Sequence, residues 1–375
     1  MHQSVFRRRA SQTIPLLISV KMCSFLVALL IVMHWGFPLV SSNLNDTCVT
    51  DSGRSGRCVL VRDCQYALDI LHDNYLTYEE YRYIDNNMCG KVPGKPPLPL
   101  ICCPSIQNVA SCGVSVVPRI FGGNETNAGI YPWAGVIQYI NKRGQFEVQC
   151  GCALIHRRWV LTAAHCIVGV PRGIFVHSVR FNEWNTRKRA NCTTKDDIKI
   201  CRAVYKIEQQ FVHPSYVIYS SNMRHDIGLL KTAENVEITD YVIPICLPFR
   251  ETLQELPIEG ELFTVTGWGR TDKDTSGLQR HVSMTGQNRS MCDAAFKPQR
   301  IKLTADQLCV GGEEGQDSCR GDSGGPLMYE DGLVTYVLGI VSFGSSDCGT
   351  KNHPGVYTKV VNYLNWIEDT MIENS

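Results

Sequence analysis

The segment Asp317-Ser-Cys-Arg-Gly-Asp-Ser323-Gly-Gly-Pro326 decides how the rest of the chain is interpreted. It places a serine between an acidic residue and two glycines. Glycines permit a sharp backbone turn, and such a turn can aim the N–H groups of Gly321 and Ser323 at a developing oxyanion. A serine hydroxyl is a weak nucleophile at its own pKa, so this chemistry requires a base nearby. By itself the segment could also be an ordinary loop.

Two further segments supply the groups that a serine nucleophile needs. Leu161-Thr-Ala-Ala-His165-Cys166 contains a histidine that can accept the serine proton, and Asp226-Ile-Gly-Leu-Leu230 begins with an acid that can orient the imidazole. Taken singly, the histidine could be a core or surface residue and the aspartate a cap or a turn. Found together in the order His, Asp, Ser, they indicate a catalytic triad.

Two flanking motifs, Gly267-Trp-Gly269 and Ser342-Phe-Gly344, complete a pattern that resembles the chymotrypsin-like serine proteases over residues 120–375. The resemblance implies an all-β fold of two perpendicular six-stranded antiparallel β-barrels, with the active site in the cleft between them. Short β runs punctuated by glycine and proline independently predict an all-β sandwich or barrel. A C-terminal helix is predicted from apolar residues that share one helical face, namely Val360, Val361, Leu364, Ile367 and Met371.

The resemblance also implies roles for individual residues. His165 is then the general base, Asp226 the orienting acid and Ser323 the nucleophile, and the N–H groups of Gly321 and Ser323 form the oxyanion hole. A carboxylate at Asp317 on the floor of the substrate pocket favours a cationic side chain, so cleavage after Arg or Lys is expected. Phe343 stands where the family usually has tryptophan. The positions matched to the substrate-binding pocket are Asp317, Ser318, Ser342, Phe343, Gly344 and Gly355.

The bond Arg119-Ile120 is similar to the activation bond of the family. In relatives the new α-amino group, here on Ile120, pairs with the acid before the nucleophile, here Asp322. Loss of such a buried pair typically costs about 3–5 kcal/mol, so the uncut chain is expected to be a zymogen. An arginine at the cut site implies a trypsin-like protease as the upstream activator. The alternative is an exposed basic loop.

Residues 43–104 form a small module that holds six cysteines and ends in Cys102-Cys103-Pro104. A segment of this size has little core and needs covalent staples, although spacing alone does not choose among the possible pairings. Ala67, Leu68 and Leu71 recur with Cys64 at helical spacing and predict one short helix. The module resembles the clip domain of arthropod serine proteases. That resemblance implies the pairs Cys48–Cys102, Cys58–Cys89 and Cys64–Cys103.

The remaining cysteines are assigned from the protease resemblance. Cys192 and Cys201 lie within a charged insertion from Arg187 to Arg202 and are expected to bridge each other. Cys152 is left over, as a buried free thiol or as half of a bond outside the chain. The other implied pairs are Cys112–Cys246, Cys150–Cys166, Cys292–Cys309 and Cys319–Cys348.

Composition points to an extracellular protein. Lysine plus arginine is 37 and aspartate plus glutamate is 36, a balance that argues against a nucleic-acid binder. Eighteen cysteines without zinc-ligand spacing indicate an oxidising compartment. Residues 1–42 have the pattern of a signal-peptide region, with basic Arg7–Arg9 before the apolar run Cys23–Met33. An uncleaved membrane anchor is the alternative, and Met22 could be the start codon.

Asparagines in N-x-Ser/Thr sequons predict glycosylation at Asn45, Asn124, Asn191 and Asn288. Glu183 falls in the loop that binds calcium in some relatives, and Asp196 and Asp197 lie in the adjoining insertion. Oxygen ligands suit Ca²⁺, which makes Glu183 a candidate metal ligand, with a solvated loop as the alternative. No cofactor is expected to be required for catalysis.

The expected organisation is a signal region at 1–42, a clip domain at 43–104, a linker and activation segment at 105–119 and a protease domain at 120–375. We expect a secreted zymogen in a haemolymph cascade, acting in melanisation through prophenoloxidase activation or in Toll-ligand processing. Its expected partners are protein substrates, the upstream protease and serpin inhibitors, with no nucleic acid and no membrane. One alternative is a non-catalytic clip-domain adaptor, although such proteins typically lose a triad residue. Another is a digestive trypsin, which the clip module, glycan sites and prosegment argue against.

Overall fold

The computed structural model describes residues 43–374, apart from residues 52, 65–66, 69–70, 72–77, 95, 107, 109–111, 116–128, 189–191, 196–197, 270–276, 316–317, 319–320 and 346–347. Several positions singled out in the sequence lie outside the described residues. They are the 1–42 region, Arg119, Ile120, Asn124, Asn191, Asp196, Asp197, Asp317 and Cys319.

The N-terminal module is built on a four-stranded antiparallel sheet with the strand order β1-β2-β4-β3. Its strands are β1 (Thr47–Val49), β2 (Ser55–Leu60), β3 (Met88–Val92) and β4 (Leu98–Pro104). Helix α1 (Tyr78–Asn86) precedes β3, and residues 67, 68 and 71 are helical, as the apolar spacing predicts. The buried core is small, and three disulfides reinforce it. Two of them join strands of the sheet to each other, and the third joins β4 to the segment after β2. The bonded pairs are Cys48–Cys102, Cys58–Cys89 and Cys64–Cys103, the pairs that the resemblance implies.

The first half of the larger domain is a closed six-stranded barrel in the order β11-β12-β7-β6-β5-β8. Its strands are β5 (Ala134–Asn141), β6 (Phe146–His156), β7 (Trp159–Thr162), β8 (Ile174–Phe181), β11 (Ala203–Val212) and β12 (Gly228–Thr232). Side chains alternate between the inside and the outside of the barrel along each strand. The large inward-facing side chains are completely buried, for example Tyr139, Leu154, Leu161 and Phe181. The hairpin of β9 (Cys192–Lys195) and β10 (Ile198–Cys201) lies between β8 and β11.

The second half is a six-stranded sheet in the order β14-β13-β16-β17-β18-β15. Its edges approach each other, because Gly311 N–H donates to the Thr285 carbonyl (2.9 Å) and Gln287 N–H to the Cys309 carbonyl (2.8 Å). Two six-stranded halves confirm the all-β class expected from the sequence. The strands are β13 (Leu262–Gly267), β14 (Arg280–Thr285), β15 (Gln307–Val310), β16 (Pro326–Asp331), β17 (Val334–Phe343) and β18 (Gly355–Lys359).

The larger domain has few α-helices among its described residues. The predicted C-terminal helix is confirmed as a 3-10 turn (Val360–Tyr363) followed by α5 (Leu364–Glu373). Leu364, Ile367 and Met371 on α5 are buried against the barrel core. The other helices are short, namely α2 (His165–Val168), α3 (Glu251–Gln254) and α4 (Arg289–Ala295). Among the described helices, none has the length and apolarity needed to span a bilayer.

The small module is docked on the larger domain through a buried ion pair. Arg54, from the turn between β1 and β2, donates from Nη2 to Glu368 Oε1 on α5 (2.7 Å) and to the Ile106 carbonyl (2.7 Å). Its guanidinium carbon lies 3.7 Å from the centre of the Phe249 ring. Only 5% of the Arg54 side chain and 3% of the Glu368 side chain are exposed. The contact between the two domains is therefore desolvated.

The connecting strap, residues 105–115, contacts the protease domain through its described residues. The Asn108 side chain exchanges two hydrogen bonds of 2.8 Å with the backbone of Leu247, and Cys112 is bonded to Cys246. Gly113 then passes so close to the Thr335 carbonyl that a Cβ would lie 2.3 Å from its oxygen, at a φ of +66°. Only glycine fits this position without displacing the backbone.

Candidate active site

Strand pairing brings His165 and Asp226 together. In the antiparallel pair of β7 and β12, Thr162 lies opposite Gly228. His165 follows the end of β7 and Asp226 precedes the start of β12, so both lie at the same edge of the barrel. His165 Nδ1 lies 2.8 Å from Asp226 Oδ2, and the His165 backbone N–H donates to Asp226 Oδ1 (2.9 Å).

Asp226 is completely buried, and hydrogen bonds replace its lost hydration. Besides both donors on His165, the Ser342 hydroxyl donates to Asp226 Oδ2 (2.5 Å). The Thr358 hydroxyl donates to the Asp226 main-chain carbonyl (2.8 Å) and so fixes the backbone at this position. Because a carboxylate accepts from Nδ1–H, Nε2 of His165 is left as the basic nitrogen. With 21% of its side chain exposed, His165 remains accessible from the cleft.

Ser323 lies beside this pair on a turn that requires glycine. Gly321 and Gly324 adopt φ values of +107° and +79°, and a Cβ on Gly324 would lie 2.3 Å from Thr162 Oγ1. The Ser323 carbonyl accepts from Gly151 N–H (2.8 Å), which binds the turn to the first barrel. The Sγ of Cys166 lies 3.6 Å from both the Ser323 carbonyl and His165 Nε2.

Within the described part of the chain, no hydrogen bond joins the Ser323 hydroxyl to His165 Nε2. Such bonds are commonly long in unliganded enzymes and tighten when substrate binds. The structure therefore assembles the base with its acid and places the nucleophile next to them.

Next to the nucleophile, a group of positions matched to the substrate pocket also comes together. The Ser318 hydroxyl lies 3.1 Å from the Tyr357 hydroxyl, and Gly355 packs under the same ring. A Cβ on Gly344 would lie 3.9 Å from Gly355 Cα, at ordinary van der Waals contact, so the backbones of these two glycines approach each other closely. Phe343 instead packs edge-to-face on Phe296, with ring centres 5.4 Å apart. Asp317 lies outside the described residues.

Asp322 is held in a cradle made by Gly267 and Gly269. Its Oδ1 accepts from the Gly269 N–H (2.8 Å). A Cβ on Gly267 would lie 2.0 Å from Asp322 Oδ1, and one on Gly269 would lie 2.4 Å from Oδ2. The Gly-Trp-Gly motif therefore leaves room for this carboxylate, whereas its expected partner Ile120 lies outside the described residues.

Family comparisons agree with this geometry. The model of the family described as Trypsin matches residues 120–367. The chain belongs to the trypsin family of serine proteases. A second model, the regulatory CLIP domain of proteinases, matches residues 48–103. The chain is thus a clip-domain serine protease.

The relatives share both domains. CLIP domain-containing serine protease B15 of Anopheles gambiae is 44% identical over 336 residues, which cover 88% of this chain and 92% of that protein. Melanization protease 1 of Drosophila melanogaster is 32% identical, covering 86% of this chain and 92% of the relative. The crystal structure of the Drosophila Grass clip serine protease of the Toll pathway aligns with a TM-score of 0.60 at 30% identity, covering 89% and 99% of the two chains.

The environment of Glu183, the expected calcium ligand of this clip-domain protease, does not suit a metal ion. Glu183 is 3% exposed and contacts the guanidinium groups of Arg180 and Arg202. A carboxylate neutralised in this way does not fit a dication. The other group of candidate metal ligands in the described residues is Cys150, His165 and Cys166, whose two cysteines form a disulfide and offer no thiolates.

The remaining cysteines follow the implied pairing where the structure describes them, and glycosylation at the sequons stays a prediction. Cys348 is disulfide-bonded, and its expected partner Cys319 lies outside the described residues. Cys152 is free and buried, and burial raises the pKa of its thiol. Asn45 and Asn288 are exposed, and Asn288 also caps α4 by accepting from Ser290 N–H (3.0 Å). The bonded pairs in the protease part are Cys112–Cys246, Cys150–Cys166, Cys192–Cys201 and Cys292–Cys309.

Sequence reasoning missed one residue that supports the site and one ion pair that joins the two domains. Thr358 resembles any β-branched strand residue, and its bond to the backbone of Asp226 spans 132 positions of the chain. Arg54 and Glu368 each have the appearance of a surface charge, and 314 positions separate them. No local signal marks either contact, because both depend on how distant strands and helices pack.

Proposed function

We propose that this chain is the zymogen of a secreted serine endopeptidase that cleaves protein substrates after Arg or Lys. The observation that carries the proposal is the buried Asp226, which binds His165 Nδ1 at 2.8 Å beside the turn that bears Ser323. This arrangement leaves Nε2 of His165 as the basic nitrogen beside the turn that bears Ser323, and an activated serine nucleophile requires such a base nearby.

The chemistry follows from these positions. Ser323 Oγ attacks the carbonyl carbon of the scissile bond as its proton passes to His165 Nε2, and Asp226 stabilises the resulting imidazolium. The N–H groups of Gly321 and Ser323 donate to the oxyanion, each worth about 10²–10³ in rate. His165 then protonates the leaving amine, and water repeats the sequence to release the acyl group.

Specificity rests on the pocket beside Ser323. Asp317 is proposed to provide the negative charge at its floor, and the absence of side chains at Gly344 and Gly355 is proposed to leave room for a long substrate side chain. A carboxylate pairs with guanidinium or ammonium through charge-assisted hydrogen bonds, so Arg and Lys are the preferred residues. The ring of Phe343 packs on Phe296, the residue that follows α4.

Activation is proposed to follow cleavage of the bond Arg119-Ile120 by a trypsin-like protease. The freed amine of Ile120 would pair with Asp322, the residue directly before Ser323. The carboxylate of Asp322 accepts a hydrogen bond from the Gly269 N–H. A buried pair at this point would order the backbone of Gly321 and Ser323 as an oxyanion hole.

A proteolytic cascade is the setting that the relatives support. They include Melanization protease 1 of Drosophila melanogaster and Phenoloxidase-activating factor 1 of Holotrichia diomphalia, the second 35% identical over 350 residues. The Grass protease is described as part of the Toll pathway. We propose that this protease acts in haemolymph, in melanisation or Toll-ligand processing, on pro-protein substrates and under serpin control.

A test compares three purified chains: the natural sequence, Arg119→Gln and Ser323→Ala. Each is treated with an immobilised trypsin-like protease, which is then removed, and assayed on peptides ending in Arg, Lys or Phe. The natural chain alone should become active, on the Arg and Lys peptides. Equal activity of Arg119→Gln would contradict the activation site, and preference for Phe would contradict the specificity. If Ser323→Ala still promoted cascade output in haemolymph, the chain would be a non-catalytic adaptor.

A further inference from the structure

The loop after β8 contains a buried acid whose charge is balanced from within the chain. Glu183 has 1% of its side chain exposed. Its Oε2 lies 2.5 Å from Arg202 Nε and 3.4 Å from Arg180 Nη1, and its Oε1 accepts from the Asn185 N–H (3.0 Å). Each carboxylate oxygen therefore already has a donor.

The guanidinium of Arg202 also donates hydrogen bonds to backbone carbonyls of this loop. Its Nη2 donates to the Asn185 carbonyl (2.6 Å) and makes a short contact with the Lys188 carbonyl. Carboxylate and carbonyl oxygens on one loop are the ligands that Ca²⁺ prefers. Here one planar cation, with several N–H donors in a fixed fork, is bound by all three groups.

Local charge opposes a metal ion at the same place. Two guanidinium groups face one carboxylate, and only 15% of Arg180 and 10% of Arg202 are exposed to solvent. A dication entering here would displace the bonds of Arg202 and meet two positive charges at short range.

The neutralised loop contacts two other parts of the protease domain, the β9–β10 hairpin and the segment before β14. Arg202 follows directly on Cys201, which closes the β9–β10 hairpin by its bond to Cys192. On its other side the loop contacts the segment before β14, because Gln279 N–H donates to the Trp184 carbonyl (3.0 Å) and Thr186 N–H to the Gly277 carbonyl (2.9 Å). Closure of the loop therefore fixes the base of the insertion and one edge of the second sheet.

We propose that Arg202 is the resident cation of this loop, so that this protease folds and remains stable without calcium. The guanidinium occupies the position among the oxygens that a calcium ion would need. The inference does not depend on the proposed substrate or on activation, because it concerns the stability of the intact chain.

The first experiment uses the natural chain and the metal alone. Thermal unfolding is followed in EDTA and in calcium at about 5 mM, which exceeds the dissociation constants of weak extracellular sites, with magnesium as the control for ionic strength. The three midpoints should coincide, and equilibrium dialysis should show no calcium bound. A midpoint raised by calcium but not by magnesium, or retention of calcium on dialysis, would overturn the proposal.

The second experiment tests the ion pair itself. Arg202→Gln should lower the unfolding midpoint by about 3–6 °C and speed proteolysis within the loop 183–202, because Glu183 keeps only the longer contact with Arg180 and the loop carbonyls lose their donor. Arg172→Gln is the matched control, since Arg172 is exposed and should leave both readouts unchanged. If Arg202→Gln behaved like this control, Arg202 would have no role in closing the loop.

Discussion

At the scale of single residues, burial and hydrogen bonding together fix Asp226 in the place proposed for the acid that orients His165. Its carboxylate accepts two bonds from His165 and one from the Ser342 hydroxyl while wholly removed from solvent. The group is therefore fixed in position and keeps the imidazole in one tautomer, which a water-exposed acid would do less well.

Asp226→Asn should separate this orienting role from folding. The amide keeps the shape but can donate to Nδ1, which favours the wrong tautomer, so kcat of the activated protease should fall by about 10⁴-fold. Thermal unfolding of the variant should change little by comparison. A loss below tenfold would show that the acid does not hold the imidazole in the way proposed.

Cys152 should be inert in the folded protein. It is wholly buried, and burial raises the pKa of its thiol, so the reactive thiolate is disfavoured at neutral pH. In a chain that has lost residues 1–42, and Cys23 with them, iodoacetamide should modify no cysteine in the native state and one after unfolding without reductant. Modification of the native chain at Cys152 would place this thiol at the surface, and none after unfolding would indicate a bond outside the chain.

The meeting of His165 and Asp226 could be predicted because the proposed chemistry restricts the sequence. A triad requires His, Asp and Ser within distinctive motifs, and the roles of the three residues stay predictions. The environment of Glu183 could not be predicted, because the sequence shows an acid in a loop but not that Arg202, after an intervening hairpin, folds back onto it.

At the scale of elements, the end of β13 is shaped around Asp322. Gly267 closes this strand, and Asp322 is held beside it by the N–H of Gly269. Sequence periodicity predicts such a strand well, since apolar side chains alternate along it. It does not reveal why the strand must end in glycine, which depends on a carboxylate from another segment.

Gly267→Ala should therefore damage the site and leave the sheet intact. Its Cβ would lie 2.0 Å from Asp322 Oδ1, so the carboxylate must move away from the position proposed to receive the Ile120 amine. Activity after cleavage should fall by about 10²-fold or more, the scale of a lost oxyanion donor. Gly260→Ala is the control, since no atom lies within 4 Å of its Cβ, although its positive φ adds some strain. Equal activity of both variants would contradict the role of the cradle.

Helix α1 shows where prediction of elements fails. Its sequence, Tyr-Glu-Glu-Tyr-Arg-Tyr-Ile-Asp-Asn, has few apolar residues, and Tyr78 and Tyr81 are exposed. With so narrow an apolar face, periodicity gives little signal. Helix α1 is stabilised by its position beside a disulfide-bonded sheet. The local sequence of the helix does not reveal that position.

At the scale of the whole molecule, the clip domain is attached by covalent and ionic contacts at different places. The bond Cys112–Cys246 fixes the strap, and Arg54–Glu368 fixes the clip domain itself. The short stretch between Cys103 and Cys112 predicts that the two domains touch. Which residues touch could not be predicted, because the partners belong to separate folding units.

Glu368→Gln should loosen the docked clip domain. Removing one partner from a buried ion pair leaves the other uncompensated, at a cost of about 3–5 kcal/mol. The radius of gyration from small-angle scattering should rise while each domain stays folded. Asp331→Asn removes the exposed pair with Arg250 and should cost less than about 1 kcal/mol, so it is the control. Identical scattering from both variants would show that the ion pair does not hold the domains together.

The central claim is that Ser323 becomes reactive only after the bond Arg119-Ile120 is cut. Its most direct test is labelling with diisopropyl fluorophosphate, located by peptide mapping, on intact chain and on chain cleaved by an immobilised protease that has been removed. We predict modification of Ser323 in the cleaved chain, little in the intact chain and none in Ser323→Ala. Equal labelling of intact and cleaved chains, or no labelling of the cleaved chain, would contradict the account.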